Sequence, residues 1–391
     1  MSLNAVNTIA SEYYGVHSTS IEWLSNMIFL MYAVLCVPLT FIINRFGVKP
    51  ILVLAAFCDV ASALLNYIGH DCSKFRFLVI GQMFNGFALS CILQMPAKVA
   101  ASWFRDKERA TATSISVMSV LVGVAVGYLH PALTIKPGAS TNADIKRFFF
   151  IVMIETIAIL VVTLFYQEAP PTAPSASAHV REELPFTDAL WLLIKNKNYI
   201  LLSTTFCIVI GLSIAISVLL DPIVSSYFPK ETVGIGTMGF SNYVSTIPSF
   251  IAVGKILDKY RKYRTTASIL TVGSCILWTT FVVVLTESNT FIAVYVIFVI
   301  LGLFMQPFQS VGIEQAAEMT YPVSEEISTV VMVMLANGFG FVIVLVFGFI
   351  IQAGYVKAVA YAIGCLYFIA FVLTLCTTTE LKRLQADKKG Y

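Results

Sequence analysis

The sequence predicts an all-α polytopic membrane protein built from two similar helical halves. Three observations predict it. Of 391 residues, 58% are hydrophobic and only 12% are charged, about half the charged share of ordinary globular domains. Apolar stretches of roughly 20 residues recur between short polar loops, which is the length a helix needs to cross a bilayer and not the ten-residue alternation of a membrane barrel. Two loops of the first half also return in the second half at nearly constant spacing.

Each span is justified by its apolar run and its flanking polar residues. The candidates are 23–43, 51–69, 77–103, 110–129, 148–166, 199–220, 233–257, 265–285, 291–317, 327–351 and 356–376, eleven in all. Lys and Arg set the orientation, because they concentrate on the cytoplasmic side. Alternating the loops places seventeen of the 25 basic residues on one side and seven on the other, with Lys98 inside a span. The richer side is predicted to be cytoplasmic and includes the C-terminus. The N-terminus of the chain then faces out.

The domain organisation follows from composition. Residues 1–166 form an N-terminal half of five spans, and 199–376 a C-terminal half of six. Between them, 167–198 is a cytoplasmic linker that begins EAPPTAPSASA, a flexible composition. It ends in DALWLLI, a short amphipathic helix for the inner interface with Thr187 as its N-cap. Residues 377–391 form a cytoplasmic tail. No basic n-region precedes an apolar core, so no signal peptide is expected. Seven of eight cysteines lie in or at the end of spans, so no disulfide framework is expected.

The repeat lies in the loops. FIINRFGVKP (41–50) corresponds to GKILDKYRKYR (254–264), with Asn44–Arg45 matching Asp258–Lys259 at an offset of 214. WFRDKERATAT (103–113), with five consecutive charges from Arg105 to Arg109, corresponds to TYPVSEEISTV (320–330). Glu108 and Glu326 are 218 apart. Two loop pairs with similar offsets imply a duplicated half. Parallel repeats around a central site describe the major facilitator fold, two six-helix halves related by an axis along the membrane normal. The first half is one span short. Residues 1–14 cannot supply it and read as the outer end of a first helix. The expectation is a sequence that begins late in that helix, with an eleven-span variant as the alternative.

Three stretches resemble the feline leukaemia virus subgroup C receptor-related family of solute carriers: YYGVHSTSIEWLSNMIFLMYAVLCVP (13–38), WFRDKERATATSISVMSVLVGVAVGYLHP (103–131) and GIEQAAEMTYPVSEE (312–326). The resemblance runs from residue 4 onward. It implies twelve spans and carriage of choline, ethanolamine or haem. In choline-carrying members an aromatic cage and two glutamines hold the quaternary ammonium. Carried over, the first glutamine falls at Leu121, the cage tyrosine at Ile214 and the second glutamine at Asn337. The cage tryptophan lies on the absent first helix. The resemblance therefore implies a more apolar pocket, with fewer of the aromatic faces a quaternary ammonium prefers.

Polar residues inside spans are costly and mark either helix–helix contacts or function. Asp59 and Glu155 stand in apolar spans. Gln82, Asn85 and Gln94 share approximately one face, as packing glue or as cavity lining. Asn337 is mid-span, and Tyr243 is the best remaining aromatic for a cation. The binding candidates are thus Asn337, Leu121, Ile214, Gln94 and Tyr243. The gating candidates are Asn44, Arg45, Arg105, Arg109, Asp258, Lys259, Glu314 and Glu318, whose charges pair across cytoplasmic loops and break as the halves rock. Asp221–Pro222 reads as an outer helix stop.

The expected function is transport of a small organic solute by alternating access in the plasma membrane, by a chain acting as a monomer. No cofactor, metal site or enzyme activity is expected, since no nucleophile or metal constellation is present. A net charge of +3 gives no reason to expect nucleic acid. The competing readings are a lysosomal carrier of a vitamin-like solute and a non-transporting receptor or interaction protein.

Overall fold

The computed structural model describes residues 2–95, 99, 103, 106–136, 141–167, 186–260, 262–287, 290–321, 323 and 325–378. Every regular element among them is helical. The chain forms two compact units. One comprises Met1–Arg181 with Thr232–Phe240, the other Glu182–Glu231 with Ser241–Tyr391.

Unit 1 opens with a 3₁₀ turn, Ser2–Val6, and the short helix α1, Asn7–Tyr14. Gly15 ends α1 in the left-handed conformation (φ 62°) and satisfies its last carbonyls. Then follow α2 (Ser18–Phe46), α3 (Val48–Ile68), α4 (Phe75–Ile92), α5 (Asp106–Thr134) and α6 (Thr141–Leu164). The chain turns from α2 into α3 in one residue, Gly47, whose φ of 86° suits glycine. Residues 2–14 are part of the core. Leu3, Val6, Ile9, Ala10 and Tyr14 pack with Ile21, Leu24, Leu78 and Phe148. A second cluster, including Leu39, Ile43, Ile51, Ala88 and Met95, closes the other end. The outer turns of residues 232–240 also belong to this unit. Gly236 and Gly239 lie against Ala132 and Tyr128 of α5, where a side chain would collide.

Unit 2 contains α7 (Phe186–Lys195), α8 (Lys197–Ser225), the rest of α9 (Thr232–Tyr260), α10 (Tyr263–Glu287), α11 (Phe291–Met305), α12 (Phe308–Thr320), α13 (Glu325–Gln352) and α14 (Val356–Cys376). Helix α8 is its centre. Its most apolar stretch is 89% buried, against 11% for α6. Gly211 of α8 meets Phe339 and Gly340 of α13, and Ile214 rests on Gly340. Small residues let these backbones approach, which is how helices associate without a hydrophobic drive in lipid.

A row of short polar side chains joins α9 to α11. Asn242 Nδ2 donates to the Phe298 carbonyl (2.6 Å), Ser245 Oγ to Val299 (2.8 Å) and Ser249 Oγ to Leu303 (2.5 Å). Ser241 Oγ meets the Tyr295 hydroxyl at 2.6 Å. The donors sit three to four residues apart, so one helix face presents all of them. Trp278 Nε1 similarly ties α10 to the Ala360 carbonyl of α14 at 2.8 Å.

Each of the eleven anticipated spans overlaps a helix, span 77–103 as far as Ile92 with 96–98 and 100–102 outside the described residues, and nine described helical stretches are long and apolar enough to cross a membrane. Helix α5 begins with DKERATATS, so only Met118–Thr134 is strongly apolar. Helix α9 starts GIGTMGFSNY, which dilutes its hydropathy. The predicted span 291–317 is among the nine, as Phe291–Thr320, with a break at Gln306–Pro307 between α11 and α12, where proline offers no N–H to continue the ladder. The expected stop at Asp221–Pro222 is corrected. Helix α8 continues to Ser225 and Asp221 is 1% exposed. Proline removes only its own N–H bond, to the Val218 carbonyl, near a helix end, and Ser226 Oγ donates to the Pro222 carbonyl (2.6 Å). The interfacial helix α7 forms, with Thr187 in its first turn and not at its cap.

At Gly302 an added Cβ would meet the Asn242 carbonyl and the Ser245 hydroxyl. Gly302→Leu should therefore destabilise the protein by about 2 kcal/mol, within the usual cost of overpacking. Gly254→Ala, where nothing lies within 4 Å, should be neutral or slightly stabilising. Thermal melts in detergent compare the two.

Candidate functional site

Three of the five binding candidates fall within unit 2. Ile214 on α8 packs against Gly340 of α13, one turn from Asn337. Asn337 is 7% exposed and its Nδ2 donates to the Val333 carbonyl of its own helix at 2.8 Å. One turn beyond Ile214, Ser217 Oγ lies 2.5 Å from the hydroxyl of buried Tyr243 on α9. Its ring is thus fixed by a partner on α8. Close by, Ser213 of α8 and Tyr367 of α14 bury hydroxyls that neighbour each other. The geometry gives this unit a polar seam along α8, facing α9, α13 and α14, next to an aliphatic Ile214.

Leu121 and Gln94 belong to unit 1. Leu121 is buried on α5. Gln94, just after α4, accepts from Thr40 Oγ1 (2.7 Å) and donates to the carbonyls of Cys36 (3.0 Å) and Ser90 (3.1 Å). These bonds make it a strut between α2 and α4. Asp59 is half-buried on α3, and Glu155 is exposed on α6.

The gating candidates sit at helix ends. Arg45 ends α2 and Lys259 ends α9, both exposed. Each lies over the aromatic ring that follows it, Phe46 at 5.6 Å and Tyr260 at 5.3 Å. The two duplicated loops thus share one cation–π arrangement, an equivalence that letter matching passed over. Glu314 is exposed and Glu318 is buried one turn later on α12. Arg105 and the side chains of Asn44, Arg109 and Asp258 lie outside the described residues. Below α12, Asn196 caps α8 by accepting from Tyr199 N–H (3.2 Å) and donates to the Met319 carbonyl (3.3 Å). Tyr199 donates to the Ser328 carbonyl (2.7 Å). These bonds join the start of α8 to the end of α12 and the start of α13, beside a cleft of about 450 Å³.

Sequence reasoning missed a polar cluster at the start of unit 1. Asn4, Asn7, Glu22, Ser25 and Asn26 are all buried. Ser18 Oγ lies 3.0 Å from Asn7 Oδ1 and 3.4 Å from Glu22 Oε1. Asn7 Nδ2 reaches the Ser18 carbonyl (3.5 Å). Both amide atoms of Asn4 lack a hydrogen-bond partner, at a cost of about 1–3 kcal/mol for each buried group left so. The readable signal was spacing: polar residues recur every three or four positions in an apolar run.

Residues 1–308 match the Major Facilitator Superfamily. The chain belongs to the Major Facilitator Superfamily. It is similar to the choline/ethanolamine transporter FLVCR2 of Rattus norvegicus, 28% identical over 98% of this chain and 72% of that protein. It is similar also to the choline/ethanolamine transporter FLVCR1 of Felis catus, 26% identical over 97% of this chain and 70% of that one. Among solved structures it resembles a D-xylose-proton symporter (TM-score 0.70, 14% identity, 97% of this chain and 93% of that). The nucleoside transporter NupG is comparable (TM-score 0.69, 12% identity, 96% and 94%). The chain is a multi-pass membrane transporter of this superfamily, and the family resemblance read from 13–38, 103–131 and 312–326 holds across nearly its full length.

If Gln94 is a strut, Gln94→Ala should lower stability by about 1 kcal/mol, the upper range for side-chain hydrogen bonds between membrane helices. Its uptake KM should stay within twofold of the unsubstituted chain. A thermal melt and a concentration series on the same preparation read both.

Proposed function

We propose that this chain carries a small organic amine of the choline/ethanolamine class across the plasma membrane by alternating access, as a monomer and without a cofactor. The similarity to choline/ethanolamine transporters over 97–98% of the chain supports this reading above all else. The excess of Lys and Arg on one set of loops supports a cytoplasmic C-terminus. Asn337, Ile214 and Tyr243, which lie in one unit, receive the solute. Asn337 Oδ1 remains an acceptor while its Nδ2 is bound to Val333. Arg45, Lys259, Arg105, Arg109, Asn44, Asp258, Glu314 and Glu318 act as gating groups, making loop contacts in one state that break in the other. A solute that binds during this exchange is moved without any covalent chemistry.

The test is uptake of labelled ethanolamine and choline into cells expressing the chain, with surface protein measured in parallel. Saturable uptake of either above vector-only cells is expected. Normal surface display with no flux of either would move the receptor reading ahead. Asn337→Leu should raise the uptake KM at least fivefold with less effect on maximal rate. Arg45→Ala should lower maximal rate with little change in KM, because a gate acts on the conformational step and not on solute contacts.

A further inference from the structure

The geometry points to the Asn4–Asn7–Ser18–Glu22 cluster of unit 1 as a binding site for an ammonium group that bears N–H bonds next to a hydroxyl, as in a primary amino alcohol. The inference rests on the amine reading above and names which amine and which side chains.

Glu22 is 3% exposed on a membrane-spanning helix. A carboxylate placed there needs a cationic or proton partner. Among the described residues no Lys, Arg or His forms an ion pair with it, and the Lys74–Asp71 pair is formed elsewhere. Its hydrogen bond is from Ser18 at 3.4 Å, and the same hydroxyl lies closer to Asn7 Oδ1. A hydroxyl has one proton. When that proton serves Asn7, the Glu22 carboxylate has no donor.

Asn4 supplies the second observation. It is 2% exposed, and neither its Oδ1 nor its Nδ2 has a partner. It stands three residues before Asn7 across the join of a 3₁₀ turn and a helix, so the two amides share a side of the segment. Asn7 is itself bonded to Ser18, whose hydroxyl reaches Glu22. The cluster therefore offers a carboxylate and an amide oxygen as unmet acceptors, and an amide N–H as an unmet donor. N–H bonds of an ammonium fit the acceptors, and a hydroxyl oxygen fits the donor. A trimethylammonium has no N–H to give and is held by aromatic faces instead.

The experiment reconstitutes the full chain in proteoliposomes for labelled uptake, and measures ligand-induced thermal shifts of the same protein in detergent. Ethanolamine and choline are the probes, with sodium chloride as the cation control. Ethanolamine is expected to give an uptake KM at least tenfold below that of choline. Glu22→Gln should raise the ethanolamine KM and the thermal-shift midpoint at least tenfold, while choline changes less than twofold. Asn4→Ala, which alters no charge, should raise the ethanolamine midpoint at least threefold and serves if Glu22→Gln does not fold. Two results overturn the inference: an ethanolamine midpoint unchanged in both variants, or a shift produced by sodium and not by ethanolamine. A shift that depends on Glu22 with no flux would sustain the site and remove the transport reading. Flux that ignores Glu22 and Asn4 would do the reverse.

Discussion

A polar group inside a bilayer has no water to replace a missing partner, and most of this architecture answers that constraint. Helices satisfy the backbone, and what remains is the side chains. The α9–α11 contact shows one answer. Asn242, Ser245 and Ser249 donate into carbonyls of the facing helix, and Gly302 lets the two backbones come close enough for short side chains to reach. Gln94 is a second answer, with bonds to three partners across α2 and α4. Where the constraint is met in full, the groups join helices into units that can move as bodies.

Where it is not met, the exceptions are spread over both units, Asn66, Tyr166 and Gln315 among them. Asn4 and the under-served Glu22 lie at the start of unit 1. A transporter must retain groups that a solute can complete, so unmet polar atoms in otherwise well-satisfied helices are where binding is sought. The contrast between Gln94 and Asn4 is instructive. Both are amides in apolar surroundings, yet one is fully engaged within the protein and the other is not engaged at all.

Much of this was legible in the chain. Apolar run length located the long apolar helices between 18 and 376, though not the break at Gln306–Pro307, because span length is set by bilayer thickness and not by neighbours. Offsets of 214 and 218 between loops pointed to the duplication. The polar cluster of residues 4–26 was less legible. Residues 1–14 are too short and too mixed to read as a span, so they looked like a remnant. Their burial depends on Ile145, Phe148 and Ala132, more than a hundred residues away.

The sequence by itself determined the helical membrane fold class and the family, since each follows from local composition or from shared words. Tertiary structure alone decided what each polar side chain does. Gln94 and Asn337 look alike in sequence, as amides in apolar spans, but Gln94 bridges two helices while Asn337 bonds its own turn. Asp221 looked like a stop and lies buried within α8. Glu22 passed unnoticed until Asn7 and Ser18 were seen beside it. A side chain's role depends on which distant backbone or hydroxyl comes within about 3 Å of it, and that distance is fixed only when the helices pack.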